Sequence, residues 1–170
     1  MMKIFLKVLV IFLIVGVMFG TGSASGQFLF FLENPLVGKP APDFTLKTIS
    51  GEQINMAEYR DGRPAVMFFW AIWCPHCRIE LQRLQERQSE FTEKDIRLLV
   101  VDLGEPRDLV KSYLKDNDIT LDVLLDEDSK VADEYMVLGV PTYFLVNRKG
   151  VVKGANHTLP KNYEKILAKE

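Results

Sequence analysis

Phe68-Phe69-Trp70-Ala71-Ile72-Trp73-Cys74-Pro75-His76-Cys77 is the stretch that decides the fold. A short, continuous, aromatic-rich run reads as a buried strand. It stops at a pair of cysteines two residues apart, and the chain has 2 cysteines in all. Pro75 suits a first helical position, where its missing N–H would lack a partner anyway. Leu81, Leu84, Gln88 and Phe91 then recur at helical spacing, predicting a helix over Pro75–Glu93. Cys74 is therefore expected at a helix N-terminus, at the end of a buried strand.

That place has chemical consequences. The thiolate is the nucleophilic form of cysteine. Free backbone N–H groups and the positive end of the helix dipole stabilise an anion there, and a protonated His76 adds charge in the same turn. Cys77 lies one turn on, within disulfide reach but deeper. The pair reads as an exposed attacking sulfur and a shielded resolving one. A metal site is less well supported, because structural zinc takes four ligands and the motif supplies two sulfurs. A purely structural bridge is also poorly supported, since so short a loop constrains little unfolded-chain entropy. The chemistry needs no metal and no cofactor.

Trp73-Cys74-Pro75-His76-Cys77 after an apolar strand resembles the active site of thioredoxin-fold oxidoreductases. The wider chain, Val37 to Glu170, resembles their TlpA/ResA branch. The carrying residues are Ala41-Pro42-Asp43-Phe44-Thr45-Leu46, the CxxC motif, Glu80, and Gly139-Val140-Pro141-Thr142. The resemblance implies an α/β, thioredoxin-like fold: a central mixed sheet flanked by helices, an N-terminal β-hairpin, and an inserted helix and strand over Asp102–Asp126. It also implies that Glu80 accepts and returns the Cys77 proton, and that Pro141 is cis and faces the cysteines. Trp73, Pro75, His76, Val140 and Pro141 would then form the surface that receives a partner. In thioredoxin a buried aspartate serves the cysteines from the central strand, and the matching place here is Phe68. The dipeptide departs from the branch, where Glu-Pro is common; Pro75-His76 is that of the disulfide-forming enzyme DsbA.

Read without the resemblance, Glu80 borders the Leu81–Leu84 stripe, where a carboxyl has a raised pKa and can exchange protons near neutrality. Its ordinary alternative is a solvated glutamate paired with Arg83 or Arg87. Trp70 reads as core, and His157 as part of a solvated polar loop.

With 170 residues, 48% of them hydrophobic, one domain plus an N-terminal extra is expected. A net charge of −2 and no basic patch give no reason to expect nucleic acid. Lys3 and Lys7 precede an apolar run over Val8–Phe19, followed by Thr21-Gly22-Ser23-Ala24-Ser25-Gly26. This is the layout of a signal peptide, with a cut after Ala24, or of an uncleaved anchor, which the resemblance favours. Ile4–Phe19 is short of the about 20 residues that span a bilayer unless Lys7 snorkels. Either way the positive end stays inside and the domain is exported. The organisation expected is a leader or anchor at 1–26, a linker at 27–36 and a thioredoxin-like domain at 37–170. Phe28-Leu29-Phe30-Phe31-Leu32 is too short to span.

Strands are expected at Phe44–Thr48, Gln53–Asn55, Ala65–Trp70, Ile96–Leu103, Leu121–Leu125, Thr142–Val146 and Val151–Lys153. Further helices are expected from Pro106 to Lys115, from Ser129 to Tyr135 and from Lys161 to Lys169. Strands alternating with helices imply a largely parallel sheet covered on both sides.

The function expected is extracytoplasmic thiol–disulfide exchange with protein thiols and disulfides, kept turning over by a membrane electron-transfer partner. The resemblance points to reducing apocytochrome c cysteines before haem attachment. Pro75-His76 points to disulfide formation as the alternative. Peroxide reduction is a further class, since peroxiredoxins share the Ala-Pro-Asp-Phe entry, but the threonine they place three residues before the reactive cysteine is Ala71 here. A non-catalytic peptide-binding module is the remaining class.

Overall fold

The computed structural model describes Asn34–Glu170, so the leader or anchor at 1–26 and the run Phe28–Leu32 lie outside the described residues. Seven strands form one sheet: β1 Thr45–Thr48, β2 Gln53–Asn55, β3 Ala65–Trp70, β4 Arg97–Leu103, β5 Val123–Asp126, β6 Thr142–Val146 and β7 Val152–Asn156. Their spatial order is β2-β1-β5-β4-β3-β6-β7. The helices are α1 Met56–Arg60, α2 Pro75–Glu86, α3 Gln88–Glu93, α4 Arg107–Asp116, α5 Lys130–Glu134 and α6 Tyr163–Leu167.

β3 is central because all six of its side chains are apolar and buried. It pairs in parallel with β4 and antiparallel with β6. Alternate residues serve opposite faces. Val66, Phe68 and Trp70 join the cluster that takes in Cys77, Leu81 and Leu84 of α2. Met67 and Phe69 join the opposite cluster with Val101, Tyr135 and Phe144. Each such large side chain contributes about 1.5–3 kcal/mol on burial. The result is the mixed, helix-flanked sheet that the resemblance implies. It is not the largely parallel sheet expected from the alternation of strands and helices, because only β3–β4 and β4–β5 pair in parallel, while both hairpins and the β3–β6 and β1–β5 contacts are antiparallel.

The Asp102–Asp126 segment forms α4 and β5. β5 pairs in parallel with β4 and antiparallel with β1, so it is the strand that joins the N-terminal hairpin to the sheet.

Three elements differ from expectation. The single helix over Pro75–Glu93 is two, because Arg87 leaves helical geometry at φ −103° and ψ 8°. Its guanidinium turns onward to Glu90 at 2.9 Å, and Phe91 of α3 still reaches the α2 core, so the apolar spacing runs across the break. α1 has no counterpart among the expected elements; Asn55 caps it by accepting the Glu58 N–H. β7 runs on to Asn156, so the expected polar loop begins only at His157, which is exposed as expected.

Candidate active site

β3 ends at Trp70, and a short loop through Ala71, Ile72 and Trp73 delivers Cys74 to the start of α2. Cys74 is the N-cap of that helix, with extended φ −90° and ψ 108°, and Pro75 opens the first turn. Cys74 and Cys77 are joined in a disulfide. The Cys77 N–H donates to Cys74 Sγ at 3.1 Å, so a helix-start amide already points at the sulfur that would carry charge after reduction.

Cys77 is fully buried, whereas Cys74 keeps 5% of its surface exposed. Cys74 is thus the less buried of the two, but it is a core residue here and not the exposed sulfur expected. The Val140 carbonyl oxygen covers the sulfur at 3.6 Å, and Phe68, Trp70 and Cys77 share its cluster. Trp73, next to Cys74 in the chain, stands out at 69% exposure. The Val140–Pro141 peptide bond is cis.

Glu80 is buried, not solvated. One carboxylate oxygen accepts from Arg83 at 2.6 Å and has the His76 Nε2 at 4.0 Å. The other accepts from the Tyr143 hydroxyl at 2.8 Å. The ordinary pairing with Arg83 is therefore present, but on a carboxyl that faces inward; Arg87 pairs with Glu90 instead. Pro75 and His76 are exposed on the first turn of α2.

Three participants escaped the sequence. Tyr143 meets Glu80 across 63 residues of chain, a relationship that no local spacing encodes. His157 places Nδ1 2.8 Å from the Pro141 carbonyl, so Nδ1 is the donor there. Glu105, at the start of the α4 segment, accepts the Ile72 N–H at 2.7 Å.

Beside Glu105 lies Asp102, fully buried on β4 in register with Trp70. Neither of its carboxylate oxygens, nor the Trp70 indole N–H, finds a well-formed hydrogen bond among the described residues. Burial, then the neighbouring Glu105 carboxyl, push the Asp102 pKa well above the carboxylate range. Burial therefore favours the neutral, protonated form of Asp102.

A disulfide at a helix start, preceded by an exposed Trp73, equips the site for exchange with another chain's sulfurs. The relatives agree. The AhpC/TSA family model matches residues 37–155. The thiol-disulfide oxidoreductase ResA of Geobacillus kaustophilus is 31% identical over 126 residues, covering 73% of this chain and 72% of the relative. Sporulation thiol-disulfide oxidoreductase A of Bacillus subtilis is 31% identical, covering 65% of this chain and 67% of the relative. The crystal structure of StoA from Bacillus subtilis superposes with a TM-score of 0.61 at 30% identity, covering 72% of this chain and 90% of that one. With its cysteine pair, mixed sheet and these matches in view, the chain belongs to the AhpC/TSA family, among its ResA-like thiol-disulfide oxidoreductases.

Proposed function

We propose that this enzyme works outside the cytoplasm, reducing disulfides of partner proteins through Cys74, with apocytochrome c cysteines as the substrate class. The carrying observation is the inward-facing Glu80 carboxyl, placed three residues after Cys77 on the helix that holds the disulfide. The Cys74 thiolate attacks a partner disulfide; a mixed disulfide forms and one partner thiolate leaves. Glu80 takes the Cys77 proton, Cys77 attacks Cys74, and the second partner thiolate leaves and is reprotonated. Two electrons pass to the partner and the enzyme ends as the disulfide. A membrane electron-transfer protein restores the dithiol. Trp73, Pro75, His76, Val140 and Pro141 form the receiving surface, supported by the exposed Trp73 next to Cys74 in the chain. The leader layout and the resemblance to the TlpA/ResA branch support export and anchoring at 1–26, ahead of a linker at 27–36 and the domain at 37–170.

His76 favours a second direction. An imidazole in the same turn as the thiolate stabilises the reduced form when it is protonated, and a disulfide so poised oxidises its partners.

The test is exchange between the reduced enzyme and a disulfide-bonded CxxCH peptide, followed across pH for wild type and Glu80→Gln. Oxidation of the enzyme with release of peptide thiols is expected, slowed in the variant. No transfer to the peptide would remove the reductant role; transfer with identical pH profiles would remove Glu80 from it.

A further inference from the structure

We propose that Tyr143 is a positioning residue for the exchange reaction, its hydroxyl holding the Glu80 carboxyl in place beside the cysteines and setting the pH range over which that carboxyl works. This rests on Glu80 acting on the cysteine pair, as proposed above.

The two oxygens of Glu80 are held in different ways. Arg83, on the exposed side, reaches one of them from a long side chain that is 62% exposed. Such a pair is screened by water and held weakly. Tyr143, on the buried side, is fully enclosed. Its backbone is pinned on both flanks, to Phe68 of β3 and Asn156 of β7. Its ring stacks on Phe68 with centroids 4.7 Å apart and planes 29° from parallel. A tyrosine so held has little freedom, so its O–H fixes the carboxyl position in a way that Arg83 cannot.

The phenol remains a donor. Burial first, and the hydrogen bond to Glu80 second, raise its pKa above the ordinary value. The remaining charged or titratable groups around the pair are His76 and Arg83 on α2, Arg87 at its end, and the reduced cysteines themselves. Arg87 is engaged by Glu90 and lies 5.9 Å from the Tyr163 ring of α6. Phe68 stands where the resemblance places thioredoxin's aspartate, and it carries no acid. On the neighbouring strand and the same face, Phe68 supports the Tyr143 ring, whose hydroxyl holds Glu80 of α2.

Removing a donor makes protonation of a carboxyl easier. Tyr143→Phe keeps the ring and its stacking and deletes only the O–H. Second-order exchange rates across pH are measured for wild type, Tyr143→Phe, Glu80→Gln and the double variant. The limb of the profile that Glu80→Gln abolishes should move up by about one pH unit in Tyr143→Phe. Tyr143→Phe should change nothing further in the Glu80→Gln background. Site-specific 3-fluorotyrosine at position 143, a stronger donor, should move the same limb down, and it keeps the test open if Tyr143→Phe folds poorly. A Tyr143→Phe or fluorotyrosine profile superimposable on wild type, with Glu80→Gln still effective, overturns the role of Tyr143 alone. Additive effects in the double variant overturn it too, because Tyr143 would be acting elsewhere. A flat response to Glu80→Gln overturns the role of Glu80 and this inference with it.

Discussion

Ile72 donates its backbone N–H to the Glu105 carboxylate at 2.7 Å, tying the loop that delivers Cys74 to the turn that follows β4. The cysteine's position therefore depends on a residue 31 places further along the chain as well as on α2.

Glu105→Ala should leave that N–H without its acceptor and cost about 1–3 kcal/mol of stability in the oxidised protein. Glu105→Gln retains an acceptor oxygen and should cost less. Urea denaturation of the three proteins compares them. Equal losses for Ala and Gln would show that the hydrogen bond to Ile72 is not what Glu105 contributes.

Asp102→Asn should be more stable than wild type at alkaline pH, and the gap should widen as pH rises. The folded-state pKa of Asp102 lies above the ordinary 3.8, at about 9, because of burial and then of Glu105. The native state therefore keeps a proton that the unfolded chain gives up. Stability from this group is fully present in acid and is lost as pH rises from about 4 through about 9. The slope is at most about 1.4 kcal/mol per pH unit. Denaturant midpoints measured from pH 5 to 9 test this, and parallel curves for the two proteins would rule it out.

Limiting iodoacetamide added to the reduced enzyme near neutral pH should label Cys74 and spare Cys77. The Cys77 sulfur is buried behind Cys74, whereas Cys74 sits at the helix start with an amide aimed at it. Mass mapping of the adduct decides, and a predominance of Cys77 adducts would reverse the assignment.

His76→Pro should lower the reduction potential by about 30 mV, equivalent to about 1.4 kcal/mol for a two-electron couple. The reason is loss of an imidazole from the first turn of α2, which when protonated favours the Cys74 thiolate. Glu80 lies 4.0 Å from the same imidazole and offsets part of that charge, so the effect should be larger in a Glu80→Gln background. Equilibration with glutathione at fixed pH measures all the values. An unmoved potential would deny His76 any part in the poise.

Much of this was readable from local pattern. The apolar run of β3, Pro75 after Cys74 and the alternation of strands with helices each act over a few residues, where periodicity is informative. What was not readable is relational. Glu80 meets Tyr143, Ile72 meets Glu105 and His157 meets Pro141 only because distant strands and loops converge. The α2–α3 break at Arg87 was hidden because Phe91 keeps the apolar spacing through it. The five-residue α1 was a different failure: Asn55 with Glu58 three residues on is a start signal, but the segment is too short to show a period.

The hairpin of β1 and β2 joins the sheet where Lys47 and Thr48 face Leu125 and Leu124 and where the Ile49 N–H donates to the Val123 carbonyl, so its place in the sheet awaits a strand made nearly 80 residues later. A chain emerging from its N-terminus presents the hairpin long before its dock exists. The hairpin should close last and, once folded, open first. In native-state hydrogen exchange its amides would then report a local opening below the global unfolding energy, while those of β3 would exchange only with the whole domain.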